Sequence, residues 1–188
     1  MKRSLLITLL VLGAAPTGAE VVTAPSYGFS ATFPASSDWS TPEHTRSAPH
    51  AHVLTWSSKN QTKKQMIYVS IVDAPLPDRK PTFRENALEW EKGVRESAKK
   101  ITLAEFTTLG GREAYKITGT IINFGSEFFF VRWMSLSENA TYQVSLVSEA
   151  APDLGIGAFH DFLGSLVIQN KEPNQASEPT APSGRGSP

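Results

Sequence analysis

Hydrophobic and polar positions alternate with a period of two over much of this chain. In Tyr27-Gly28-Phe29-Ser30-Ala31-Thr32-Phe33, the residues Tyr27, Phe29, Ala31 and Phe33 share one face, which predicts a half-buried strand ended by Pro34. After a polar stretch, a short strand is predicted over His52–Trp56 and another over Gln65–Val72, the latter stopped by the loop carrying Pro75 and Pro77. Leu103–Thr108 gives a fourth, after which Gly110-Gly111 turns the chain. Arg112 to Ile122 places Ala114, Lys116, Thr118, Thr120 and Ile122 on one face and Tyr115, Ile117, Gly119 and Ile121 on the other. Polar turns at Asn123–Ser126 and Ser137–Asn139 lead into strands over Glu127–Leu136 and Thr141–Val147, an antiparallel meander. Phe128-Phe129-Phe130-Val131 and Trp133-Met134 are apolar on both faces, so this strand is expected to be central and covered on both sides. Core packing accounts for that aromatic run without a ligand-binding wall.

Two stretches follow the helical period instead. Thr82-Phe83-Arg84-Glu85 is a capping-box pattern, in which the threonine oxygen accepts from the Glu85 amide while the glutamate reaches back. Phe83, Ala87, Trp90, Val94 and Ala98 then fall on one face, and Lys99-Lys100 are expected at the negative end of the helix dipole. A second helix is predicted from near Asp153, carrying Phe159, Phe162, Leu163 and Leu166 toward the core ahead of Val167-Ile168. The fold class expected is α+β: a mainly antiparallel sheet of about six strands covered by helices on both faces.

Composition changes the picture at the two ends. Met1-Lys2-Arg3 precedes an apolar run from Leu5 to Ala15, a helix of roughly 16 Å, too short to span a bilayer and suited to a signal h-region. Pro16 and Gly18 break it, and Thr17-Gly18-Ala19 supplies small residues for a peptidase, so residues 1–19 are read as a signal peptide with Glu20 as the mature start. Residues 20–170 are read as one α+β domain, and 171–188 (KEPNQASEPTAPSGRGSP) as a disordered Pro/Ser/Gly-rich tail. With no cysteine there is no lipid anchor on a thiol, no disulfide and no thiolate chemistry. The mature protein is expected in the periplasm or secreted, without a stable membrane anchor, and stabilised by its hydrophobic core.

Charge bears on partners. The chain balances 18 basic against 18 acidic residues, and loss of Lys2 and Arg3 with the signal leaves 16 against 18. Without basic clusters this is a poor basis for binding phosphate backbones, so no nucleic-acid partner is expected.

Candidate chemistry is sparse. His50 and His52 share a strand face, and with His44 and Glu43 they form a set able to chelate a divalent metal. No HExxH pair accompanies them and Pro49 makes their entry irregular, so they are read as exposed loop histidines. His160-Asp161 reads as a helix-surface pair, and Glu85, Glu89, Glu91 and Glu96 as a solvated face pairing with Arg84, Lys92 and Arg95. There is no GxSxG, and neither Gly110-Gly111 nor Gly155-Ile156-Gly157 completes a phosphate-binding fingerprint. Asn60-Gln61-Thr62 and Asn139-Ala140-Thr141 fit the glycosylation sequon, which matters only on a eukaryotic export route. No catalytic, cofactor-binding or metal-ligating residue is assigned, and no cofactor is expected.

The order of elements resembles a known group. Tyr27-Gly28-Phe29-Ser30-Ala31-Thr32-Phe33-Pro34 with Trp39 opens the pattern, and a long helix follows the early strands. Leu109-Gly110-Gly111-Arg112-Glu113-Ala114-Tyr115 starts the meander, and Phe159-His160-Asp161-Phe162-Leu163-Gly164-Ser165-Leu166 closes it. Over roughly residues 25–168 the chain is similar to the PsbP-like α/β/α sandwich group, which includes the DcrB-type envelope proteins of bacteria. The resemblance implies a small exported assembly factor or binding module without a shared catalytic set. The function expected is thus a soluble, non-catalytic binding or assembly module of the bacterial envelope, its partner another protein. Two alternatives stand beside it: an immunity or chaperone-like partner of a toxin or secreted effector, and an enzyme with an unrecognised site.

Overall fold

The computed structural model describes residues 19–47, 53–73, 82–123, 125–137 and 140–169. In chain order these form β1 (Glu20–Ala24), a 3-10 turn (Pro25–Tyr27), β2 (Phe29–Phe33), β3 (Glu43–Ser47), β4 (Val53–Asn60) and β5 (Gln65–Asp73). Then follow α1 (Phe83–Ser97), β6 (Lys100–Leu109), β7 (Arg112–Asn123), β8 (Ser126–Leu136), β9 (Ala140–Ser148), α2 (Gly157–Ser165) and β10 (Val167–Ile168). The predicted leader up to residue 18, the tail 171–188, His50, His52 and the Asn139 sequon lie outside the described residues.

The expected single sheet of about six strands covered by helices on both faces is not what the chain builds. The described residues form two sheets, one of seven strands in the order β3-β4-β5-β9-β8-β7-β6 and one of three in the order β1-β2-β10. Every pairing is antiparallel. The strand with the clearest alternation, β2, belongs to the small sheet and presses Phe29, Ala31 and Phe33 onto one face of the large sheet from outside. Length explains why helices do not cover both faces. The nine residues of α2 reach about 13 Å, whereas seven strands are about 29 Å wide. A second sheet therefore covers most of that face, with α2 beside it.

The larger core lies between the two sheets. Val22, Ala24, Phe29, Ala31, Phe33 and Ile168 of the small sheet and Phe159, Phe162 and Leu166 at α2 meet Trp56, Ile67, Val69, Ile71, Val131, Trp133, Tyr142, Val144 and Leu146 of the large one. The ring of Phe33 meets Phe162 edge to face at 5.1 Å. Each buried Val, Leu, Ile or Phe among them contributes about 1.5–3 kcal/mol through removal from water. Cross-strand partners show which residues share a face: Trp56↔Val69↔Val144↔Trp133 run across four strands toward this core.

The smaller core lies on the opposite face, under α1. Ala87 and Val94, with Phe83, Trp90 and Ala98, pack on Tyr115, Ile117, Phe130 and Met134. The capping box is complete: Glu85 N–H donates to Thr82 Oγ1 at 3.2 Å and Thr82 N–H to Glu85 Oε2 at 2.7 Å. The helix ends sooner than the dipole argument expected. Ala98 is extended, its N–H closing on Val94 O at 2.9 Å, and Lys99 already pairs with the sheet through Thr120 O and with Glu127 at 2.7 Å. At the other helix, Asp153 Oδ1 accepts from Gly155 N–H at 2.8 Å, so the chain turns there and α2 starts four residues later than predicted.

Gly110 and Gly111, at φ 57° and 85°, make the two-residue turn of the β6–β7 hairpin, a backbone that needs glycine. The tip docks on the last strand, where Ile168 N–H donates to Gly110 O at 3.1 Å.

Candidate functional site

The register divides the α1 side of the large sheet into two unequal surfaces. One row across the strands reads Ala104, Ile117, Arg132, Ser145, Tyr68, Ser57 and Glu43 from β6 to β3. The row beside it reads Phe106, Tyr115, Met134, Gln143, Ser70, Thr55 and Thr45. Up to β8 these rows are largely apolar and lie against α1. From β9 to β4 they carry hydroxyl and amide side chains, Ser70 buried and the others half-buried, and only Thr45 and Glu43 on β3 are exposed.

Arg132 stands on the boundary. Its stem crosses the buried ring of Phe130, with Cζ 4.8 Å from the ring centroid. Nε is buried and has no hydrogen-bond partner among the described residues. Burial lowers the guanidinium pKa from its usual value. The ion pairs among the described residues use Lys64, Lys92, Arg95, Lys99 and Lys116 instead.

On the other flank of α1 lies the β6 edge. Beyond β6 no strand pairs among the described residues, so ten residues of backbone are open on one side. Leu103 (41% exposed) and Phe106 (40%) flank this edge on opposite faces of the sheet, and Leu88 of α1 (45%) lies one turn beyond Arg84, which stacks on Phe106. Ile122 (54%) and Phe129 (37%) extend the apolar surface on the Leu103 face. The only guards natural edges carry here are Lys100, Glu105 and a bulge between Ile101 and Leu103.

A cleft of about 400 Å³ opens between the end of β2 and α2, bordered by Ala19, Ser36, Trp39 and Asp161. Its walls are already hydrogen-bonded: Thr32 N–H donates to Ser165 Oγ, which itself donates to Phe162 O, both at 2.8 Å. Among the described residues, Asp161 is the one ionisable side chain that lines it.

The other sequence candidates fall apart in space. His44 stacks on Trp56, ring centroids 5.1 Å apart, while Glu43 points to the opposite face of the sheet. No group of three or more His, Asp or Glu side chains able to hold a metal occurs among the described residues. His160 is exposed, its Nδ1 3.3 Å from Leu154 O. Asn60 is buried, and its Oδ1 accepts from Lys63 N–H in the β4–β5 turn, which leaves no room for a glycan. Among the helix acids, Glu89 pairs with Lys92 as expected, but Glu91 is turned to the sheet, where it takes the Tyr115 hydroxyl as well as Arg95. The aromatic run divides: Phe130, Val131, Trp133 and Met134 are core, and Phe129 is surface.

The fold defines a two-sheet α/β protein whose β6 edge is unpaired among the described residues. No family profile matches the chain, and no curated protein does. Among solved structures it is similar to a protein of Bacteroides thetaiotaomicron at 13% identity and a TM-score of 0.51, over 82% of this chain. The chain spans half the length of that protein, and the likeness is one of fold. No helix among the described residues is long and apolar enough to cross a membrane.

Proposed function

We propose that this protein is an exported, non-catalytic binding or assembly module of the bacterial envelope whose partner is another protein, akin to members of the PsbP-like group that its turn and core motifs resemble. The observation that carries the reading is the open β6 edge, with Leu103 and Phe106 exposed on either side of it and Leu88, Ile122 and Phe129 around it. An unpaired strand offers a row of N–H and C=O groups to an added strand, and apolar side chains on both faces supply the burial that holds it. The reading of export is supported by the signal-like first nineteen residues.

Affinity capture with the mature chain from its native envelope tests this, run beside a Leu103→Asp/Phe106→Asp variant that melts at the same temperature. A partner retained by the unaltered chain and lost by the variant is the expected result. Equal recovery with both, or none with either, overturns it.

A further inference from the structure

We propose that the β6 edge pairs with a second copy of this chain, strand against strand about a two-fold axis at Phe106, a pairing that rests on the reading of this edge as the docking surface. Among the described residues β6 pairs with β7 alone, and the chain is described without a break from Thr82 through α1, β6 and the turn to Asn123. The hairpin decides which backbone groups face outward. Gly110 and Gly111, at φ 57° and 85°, suit a two-residue type I′ turn, whose closing pair Leu109–Arg112 exchanges both hydrogen bonds. Antiparallel ladders alternate, so Thr107, Glu105 and Leu103 bond to β7 as Leu109 does. Thr108, Phe106 and Ala104 turn their N–H and C=O groups away from it. The bulge between Ile101 and Leu103 ends this regular run.

The run that remains, Leu103-Ala104-Glu105-Phe106-Thr107-Thr108-Leu109, has Phe106 at its midpoint and complements its own reverse. Laid antiparallel on a second copy with Phe106 opposite Phe106, it sets Leu103 against Leu109, Ala104 against Thr108 and Glu105 against Thr107. The outward groups then meet outward groups throughout. The two exposed Phe106 rings cover one another on the α1 side, and Leu103 gains an apolar neighbour on the other. Glu105 is already paired with Lys116 of its own chain. Other axes fit worse. One at Glu105 opposes two carboxylates, one at Ala104 drives both bulges into the pairing, and one at Thr107 sets Ala104 against Gly110. A half-residue shift is excluded because opposed residues must share a face. The axis stands perpendicular to the sheet, so both α1 helices stay on one side, with exposed Leu88 of each near the joined rings. Arg84 stacks on each ring, and salt screens the approach of the two guanidiniums. The edge at β3 is unsuited to such pairing, since Glu43, His44 and Arg46 crowd its five residues. A pair through β6 therefore closes on itself at two copies. The second copy and the other protein of the proposed function occupy this edge in turn.

The test is the association state of the mature chain, residues 20–188, by sedimentation velocity from about 1 to 500 μM, the range in which small interfaces act. A reversible dimer is expected. Leu103→Asp/Phe106→Asp is expected to weaken it at least about hundredfold. Thr108→Pro removes an outward N–H and leaves the β7 bonds, and is expected to weaken it at least about tenfold. Melting temperatures of both variants separate loss of the dimer from loss of the fold. Because the chain has no cysteine, a single one reports the register. Phe106→Cys, with Cα atoms about 5.5 Å apart across the axis, is expected to cross-link on mild oxidation at least about tenfold faster than Thr45→Cys on β3. A monomer throughout the range, a dimer unmoved by either edge variant, or Thr45→Cys cross-linking as fast as Phe106→Cys overturns the proposal. A monomeric chain that retains a captured partner through this edge overturns the dimer and leaves the proposed function standing, and a dimer that captures no partner does the reverse.

Discussion

Tyr115 is buried on the α1 side of β7, and its hydroxyl donates to Glu91. Burial, with Glu91 next in weight, pushes the Tyr115 hydroxyl up to about 12. The same hydrogen bond holds the Glu91 carboxyl below its usual value. The two shifts act at opposite ends of the pH scale. Tyr115 contributes stability that is present below its ordinary pKa near 10 and lost as pH rises toward about 12. Glu91 contributes stability present above its ordinary pKa near 4.5 and lost as pH falls through its lowered one. Tyr115→Phe should therefore lower stability at neutral pH by about 1–3 kcal/mol. It should also flatten the decline of wild-type stability between pH 10 and 12, which denaturant titrations across that window read directly. At Gly119 the constraint is space. A Cβ there would stand 2.1 Å from Lys100 O and 3.0 Å from the Phe130 ring, so Gly119→Ala should cost at least about 1–3 kcal/mol in the same assay. The alternation of β7 predicts correctly which residues share a face. It does not show that Gly119 lies under the neighbouring strand's carbonyl, because that contact belongs to the pairing.

Elements with a complete local signal are the ones legible from sequence. In α1 the cap, the apolar face and the first turn agree, and the predicted helix forms over Phe83–Ser97. Thr82→Ala removes the cap and should destabilise by about 1 kcal/mol, with Thr82→Ser close to wild type in thermal melts. β3 is the opposite case. Glu43-His44-Thr45-Arg46-Ser47 has no apolar period, and it is a strand because β4 offers it an edge. β1 (Glu20-Val21-Val22-Thr23-Ala24) lacks a clean alternation and β10 has only two residues, yet they flank β2 and complete the small sheet. α2 starts late because Asp153 serves the turn before it, a competition between side chain and helix that spacing alone does not reveal.

At the scale of the molecule, two sheets are tied by few polar links through one core. Tyr142 of β9 is fully buried and donates to Tyr27 O at 2.5 Å, across the space between the sheets. Tyr142→Phe removes that hydrogen bond and should lower stability by about 1–2 kcal/mol. Ile168→Ala, at the strand that receives the Gly110 hairpin tip, should cost about 2–5 kcal/mol and broaden or split the transition if the small sheet unfolds first. Differential calorimetry distinguishes the two outcomes.

The surfaces were partly legible. Arg132 carries a sequence signal, a lone charge inside a strand apolar on both faces, and that signal identifies the residue without saying where its guanidinium points. Leu103 and Phe106 read as ordinary strand residues, and only the strand order makes β6 an edge. Local chemistry along the chain determined the strands of the meander, the capped helix and the absence of thiol chemistry, since each depends on residues within a few positions of one another. Tertiary structure alone decided that β2 leaves the main sheet for a second one, that Glu91 faces Tyr115, and that the β6 edge is unpaired among the described residues. Those outcomes depend on which long-range pairings bury the most apolar surface, a competition settled among all the strands together.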